Sequence, residues 1–199
     1  RGGGTFYSQS AIDGIAQVAK DSDCALHLDG ARLFNAAVAS GENPSRIVRD
    51  CNTVSICISK GLGAPVGGVL VGSNETIAQA HRWRKMFGGG MRQAGVIAAA
   101  GLYALDHNTE RLVDDHARAH TLACALEQLD TFEVDMESVR TNIIYARSKV
   151  PASQVVDQVG GSGVDVLALG PNLLRLVTHL HITDEDIDRT LIVFKDLYS

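Results

Sequence analysis

The sequence predicts an α/β protein in two parts, a layered α/β unit over residues 1–107 and a smaller α+β unit over 108–199. Three observations carry this. Short apolar runs alternate with helical periodicity through the first half, as where helices layer on a sheet. At "DHNTE", residues 106–110, the composition turns polar and marks a boundary. Beyond it, strand-like runs lie between two long amphipathic segments.

Residues 8–20 place Ile12, Ile15, Ala16 and Ala19 on one helical face, with Ser8 or Ser10 as the cap. "CALHLDGA" reads as a buried strand ending at Asp29, and "ARLFNAAVASG" as a short helix closed by Gly41. "NTVSICIS" is the clearest strand, with Val54, Ile56 and Ile58 on one side and Ser55, Cys57 and Ser59 on the other. "GGVLVGS" follows as a strand, Asn74 as the cap of a helix through Arg84, "GGG" at 88–90 as its break, and "RQAGVIAAAGLYAL" as the next helix. A helix through Leu129 opens the second half, with Leu112, Ala119, Ala123 and Leu126 inward. "FEVDM", "TNIIYAR" and "NLLRLVTHLHI" read as strands. The last helix begins at Thr183 and turns Ile187, Leu191, Phe194 and Leu197 inward. Its acids at 184–186 suit the positive end of the helix dipole.

Composition narrows the function classes. Of 199 residues, 45% are hydrophobic and 21% charged, the balance of a globular protein. A net charge of −5 argues against nucleic acid as the main partner, which needs a basic face. No apolar run approaches the roughly 18–20 residues of a membrane span. Four cysteines, Cys24, Cys51, Cys57 and Cys124, show no CxxC spacing and fit reduced thiols in a cytoplasmic protein. The chain opens Arg-Gly-Gly-Gly with no methionine, which suggests a fragment or a processed form.

Two strand ends carry the chemistry. Asp29 closes an apolar strand, where open α/β sheets place their ligands. Its partner is Arg32 or a protonated ring nitrogen on a ligand; the plain alternative is an Asp that caps the next helix. Lys60 ends the next strand, 31 residues on, so both side chains can reach one sheet edge. Glycines at 61, 63, 67 and 68 let backbone approach a ligand closely. A lysine in such a cleft loses solvation, which favours the neutral, nucleophilic amine; the plain alternative is a lysine reaching out to water. Together, a strand-end Asp and a strand-end Lys fit a pyridoxal phosphate site, with the lysine as Schiff-base partner and the acid holding the pyridine nitrogen protonated.

Other candidates carry less. His27 shares a strand face with Asp29 and reads as a hydrogen-bonded core histidine or as a support for the site. His179 and His181 share a strand face, but a catalytic zinc needs a third ligand, so no metal is expected. "HRWRK", residues 81–85, is a solvated basic helix face. "GLGAPVGG" lacks the Walker spacing.

"HLDGARLFNAAVASG", "SICISKGLGAPVGGVLVGS", "RKMFGGGMRQAG" and "LLRLVTHL", in this order, resemble the low-specificity L-threonine aldolase family. The resemblance covers nearly the whole chain. It implies the pyridoxal phosphate-dependent transferase fold (fold type I), here a partial large domain with a mixed sheet and a smaller C-terminal domain. It implies a lyase that cleaves L-threonine, L-allo-threonine and similar β-hydroxy-α-amino acids to glycine and an aldehyde, in a homo-oligomer, a dimer or tetramer. Lys60 would then bind the cofactor aldehyde, Asp29 its ring nitrogen and Arg32 the vicinity of its phenolic oxygen. Arg92 would approach a cofactor phosphate across a subunit interface, and Arg175 would hold the substrate carboxylate through its planar fork. The family's chain is longer and begins upstream, so the main phosphate-binding loop and the side chain stacked on the ring would lie outside this sequence. Alternatives are another fold-type-I enzyme, an aminotransferase or a β-eliminating lyase, or a catalytically silent domain of this fold.

Overall fold

A computed structural model of the chain describes residues 3–199; Arg1 and Gly2, which open the first expected domain, lie outside the described residues. Two units emerge: Tyr7–Glu110, and the described residues up to Phe6 together with Arg111–Ser199.

The first unit begins with α1 (Gln9–Asp21), started by Ser8, whose Oγ accepts the Ala11 amide at 3.2 Å. There follow β1 (His27–Gly30), α2 (Leu33–Ser40), the single turn α3 (Pro44–Ile47), β2 (Thr53–Cys57), β3 (Gly68–Gly72), α4 (Asn74–Met86) and α5 (Gly95–His107). The sheet order is β1-β2-β3, with the first pair parallel and the second antiparallel, so the sheet is mixed. A parallel pair needs a crossover, and α2 and α3 supply it. Leu33, Ala37, Ile47 and Val54 form its buried cluster, with Leu28 and Ile56 against them. Two expectations need correction. β1 is not a buried strand, because its alternate residues His27 and Asp29 face away from this cluster and are exposed. Ser73, not Asn74, caps α4: its Oγ accepts the Thr76 amide at 3.2 Å, one residue earlier than the composition suggested.

The second unit contains α6 (Leu112–Glu127), β4 (Phe132–Val134), a 3₁₀ turn (Met136–Ser138), β5 (Ile143–Ser148), α7 (Ala152–Gly161), β6 (Leu167–Gly170), β7 (Leu173–Val177) and α8 (Asp184–Tyr198). Its sheet is antiparallel throughout, ordered β4-β5-β7-β6. One apolar cluster joins Leu122 and Leu126 of α6, Val155 and Val159 of α7 and Phe194 of α8 to Ile144, Ala146, Leu174 and Leu176 of the sheet. Phe132 meets the rings of Phe194 and Tyr198 edge-on at 5.5 and 5.0 Å. Thr183 and Asp186 close a reciprocal capping box at the start of α8. Leu197, expected inward, is exposed, since α8 turns only Ile187 and Phe194 fully into the core.

Buried polar groups in this unit satisfy one another. Arg111 grips the fully buried Asp115 with both terminal nitrogens, at 2.5 and 3.1 Å. Thr178 Oγ1 donates to the Asp115 carbonyl at 2.6 Å, and Asn142 Nδ2 to the Thr178 carbonyl at 2.7 Å. The start of the chain joins the unit where Thr141 Oγ1 donates to the Gly4 carbonyl at 2.6 Å and Arg140 lies 4.5 Å over the Phe6 ring. Among the described residues no helix is long and apolar enough to cross a membrane.

Candidate active site

Strand register determines which side chains of the first unit share a face. Leu28 pairs with Val54, and both turn toward the α2–α3 cluster. By the two-residue period of a strand, Asp29 and its partner Ser55 turn the other way, and so do His27, Thr53 and Cys57. Leu70 and Gly68 of β3 pair with Ser55 and Cys57. The Asp29 carboxylate sits near the carboxyl end of β1 and is exposed. Its Oδ1 accepts the Ala31 amide at a long 3.3 Å, an Asx turn rather than a helix cap. The N-cap of α2 is Arg32, which makes no side-chain capping bond.

Lys60 leaves β2 three residues past Cys57, within a loop that closes on its own backbone. The Ile58 amide donates to the Gly67 carbonyl at 3.3 Å, the Ala64 amide to Ile58 at 3.0 Å, and the Gly63 amide to Lys60 itself at 2.9 Å. Gly67 holds φ +118°, a conformation that a side chain would strain. Ile58, Leu62 and Ala64 are buried on either side of an exposed Lys60. The apolar run and the glycines therefore anchor the backbone and hold the amine outward. The desolvation expected for Lys60 is not supplied by its own unit, where the side chain stands in solvent.

The Cys57 thiol senses this neighbourhood. Burial pushes it up, but hydrogen bonds with Ser59 (Sγ···Oγ 3.3 Å) and the charges of Lys60 and Arg32 outweigh burial, and the net shift is downward. Arg32 and Lys60 thus lie within electrostatic reach of one thiol. Cys57 was not singled out from the sequence; its i, i+2 spacing from Ser55 on the strand was the available signal. His27 is hydrogen-bonded, as expected, with Nδ1 2.8 Å from Thr53 Oγ1, but it is exposed rather than in the core.

The remaining expected residues stand apart. Arg92 is exposed in the turn between α4 and α5, joined to no other described residue by a hydrogen bond or ion pair. Arg175 lies on β7 of the second unit, in register with Tyr145 on one side and Leu167 on the other. His179 and His181 do not share a strand face. They follow β7 in a turn, where the His181 amide donates to His179 Nδ1 at 3.3 Å. The acids after them are engaged, Asp186 in the cap of α8 and Asp184 with Arg118 at 2.6 Å. No group of three metal-ligating side chains occurs among the described residues. A groove of about 720 Å³ lined by Asp13, Lys20, Cys24 and Asn52 lies at the amino ends of β1 and β2, away from Asp29 and Lys60.

The donor set suits pyridoxal phosphate in part. It offers a primary amine without hydrogen-bond or ion-pair partner among the described residues, and a carboxylate whose Oδ2 is unengaged there. Asp29 lies on β1, and Lys60 in the loop that follows its parallel neighbour β2.

Comparison with known proteins places the chain in a family. The model of the beta-eliminating lyase family matches residues 1–149. The chain is 43% identical to the low specificity L-threonine aldolase of Escherichia coli (strain K12), over 84% of its own length and 49% of the relative's. It is 39% identical to low-specificity L-threonine aldolase 1 of Arabidopsis thaliana, over 97% and 55%. A solved threonine aldolase of Leishmania major superposes with a TM-score of 0.81 at 21% identity, covering 99% of this chain and 58% of that one. The chain spans about half the length of the curated relatives it matches. The fold, with its three-stranded mixed sheet and four-stranded antiparallel sheet, is that of the pyridoxal phosphate enzymes of fold type I.

Proposed function

The chain belongs to the beta-eliminating lyase family, and from that premise we propose that it serves a pyridoxal phosphate-dependent aldolase that cleaves L-threonine and L-allo-threonine to glycine and acetaldehyde. The observation that carries this is the register of β1 on β2. It puts Asp29 on the face of Ser55 and Cys57, with Lys60 just beyond the same strand end.

In this reading Lys60 Nζ holds the cofactor covalently. Asp29, by its negative charge, keeps a proton on the ring nitrogen. When bound, the cofactor supplies an electron sink for the bond broken at the amino acid's Cα. Arg32, in the same electrostatic neighbourhood as Lys60, would offer its positive charge to the cofactor's phenolic oxygen. Arg175 grips the substrate carboxylate by two parallel hydrogen bonds, and this fixes the Cα–Cβ bond as the one presented for cleavage. Arg92 reaches a cofactor phosphate across a subunit interface of a homo-oligomer, a dimer or tetramer. The exposed Trp83, Phe87 and Met91 around it support such an interface. The protein works in the cytoplasm, and the four free cysteines support a reducing compartment.

The test is a visible absorption band that forms with pyridoxal phosphate, together with release of glycine and aldehyde from L-threonine. Lys60→Ala removes both, and borohydride bleaches the wild-type band. Transamination of a keto acid without aldehyde release points to an aminotransferase instead. A wild-type protein that stays colourless with added cofactor overturns the reading.

A further inference from the structure

The Lys60 loop rests on one face of α5, and that face is built to receive it. Gly101, Ala104 and Asn108 recur at i, i+3 and i+7, the spacing of a single helical stripe. At one end of the stripe, a Cβ on Gly101 would stand 2.8 Å from Ile58 Cδ1 and would push that side-chain end aside, so the start of the loop packs closely on the helix here. Ala104 is almost wholly buried in the middle. At the other end, Asn108 Nδ2 donates to the Leu62 carbonyl at 2.7 Å across 46 residues of sequence. Asn108 is itself fixed as the C-cap of α5, its amide bonded to the Ala104 carbonyl. Lys60 stands midway between the two attachment points, Ile58 and Leu62.

We propose that Asn108 is a positioning residue for Lys60: it clamps the Leu62 carbonyl and so fixes the direction in which the lysine amine leaves its loop. This rests on the role proposed for Lys60 above. Leu62 is buried, so removing the amide donor leaves its carbonyl without a partner in an apolar setting. The loop then escapes by turning that carbonyl outward. The peptide plane of Leu62 lies two residues from Lys60, and the Gly63 amide that closes on the Lys60 carbonyl belongs to the same plane. A turn at Leu62 therefore reorients the lysine.

The experiment compares wild type with Asn108→Ala, Asn108→Asp and Asn108→Gln. Asp keeps the shape of Asn but has no N–H to give; Gln retains the donor. Each protein is exposed to pyridoxal phosphate, reduced with borohydride and digested, and the labelled lysines are quantified against Lys20 and Lys85 of the same molecule. Hydrogen exchange of Leu62–Ala64 without cofactor is measured alongside. Loss of the donor lowers Lys60 labelling about tenfold in the Ala and Asp variants and speeds loop exchange by a similar factor, with β2 protection unchanged. Gln restores both in part. Unchanged Lys60 labelling in both donorless variants overturns the inference while leaving the function intact. If Asp behaves as wild type, shape rather than the hydrogen bond positions the loop, and the inference falls. Wild-type labelling that favours another lysine overturns the role of Lys60 itself, and this inference with it.

Discussion

The second unit gathers residues of three helices and three strands into one apolar cluster, in which Ala123, Ile144, Val155 and Leu174 are wholly buried. Among its described residues the first unit buries a smaller cluster around α2, α3 and β2, and Ile58, Leu62, Ala64 and Ala104 about the Lys60 loop and α5. It leaves Val69, Leu70 and Val71 of β3, and Trp83 of α4 with its C-cap Phe87, 39–83% exposed. β3 is moreover an edge strand, apolar on both faces, which proteins ordinarily cover or charge. The candidate residues Asp29 and Lys60 thus belong to the unit with less apolar cover of its own. The second unit is the more fully packed of the two, although it carries Arg175 on β7, and the first holds its Lys60 loop by hydrogen bonds and a few close contacts.

The largest effect that tests this two-unit division is in the core. Phe194→Ala removes a ring 1% exposed and in contact with Phe132, at an expected loss of about 3–5 kcal/mol in the second unit. Val54→Ala in the first unit is expected to cost about 2 kcal/mol. Hydrogen exchange across a denaturant series reads the two separately. Phe194→Ala should speed exchange in β5 and β7, and Val54→Ala in β1 and β2. Equal acceleration of all four strands by either substitution would mean one cooperative structure, and the division would be lost.

A smaller effect distinguishes the units by pH. Burial lowers the His116 imidazolium's hold on its proton, and the neighbouring Asp115 only partly opposes this. The unfolded chain, with an ordinary histidine near pH 6.5, then binds more protons than the folded one as pH falls. Stability that is fully present above that value is lost as pH drops toward the lower folded value. The urea midpoint of the second unit should fall between pH 7 and 5, by less than a single-proton slope, and His116→Gln should flatten it. A midpoint that rises on acidification contradicts the assigned burial.

Much of the frame was legible because it depends on local pattern. Alternation in "NTVSICIS" located β2, and Thr183 with its following acids located α8. What escaped depends on distance or on weak periodicity. Neither α7, which carries Gly160-Gly161 in its last turn, nor the four-residue β6 is marked out by the local pattern. "NLLRLVTHLHI" has the composition of a strand to its end, yet β7 stops at Val177, where Thr178 turns its hydroxyl to the buried Asp115 carbonyl. Of the candidate site, glycine and charge after apolar runs pointed to Asp29 on β1 and to Lys60, which lies not at the end of β2 but in the loop beyond Cys57. The pairing of Asp29 with Ser55 and the clamp of Asn108 on Leu62 were not legible, since each joins residues far apart in sequence.

The smallest expected effect concerns how the first unit holds α1. Arg46 of α3 grips Asp13 through both terminal nitrogens, at 2.9 and 2.5 Å. That hydrogen bonding, with help from Gln9, holds the Asp13 carboxyl far below the usual range. Its contribution is therefore present above the ordinary carboxylate value near pH 4 and is lost only as pH falls well below it. Both side chains are about one-third exposed, so water and salt weaken the pair. Asp13→Asn should speed exchange in α1 slightly at neutral pH and low salt, and not at all in about 1 M salt. Ile12, which packs on the α2–α3 cluster, is the competing anchor. If Asp13→Asn leaves α1 unchanged at low salt while Ile12→Ala loosens it, apolar contact alone holds the helix.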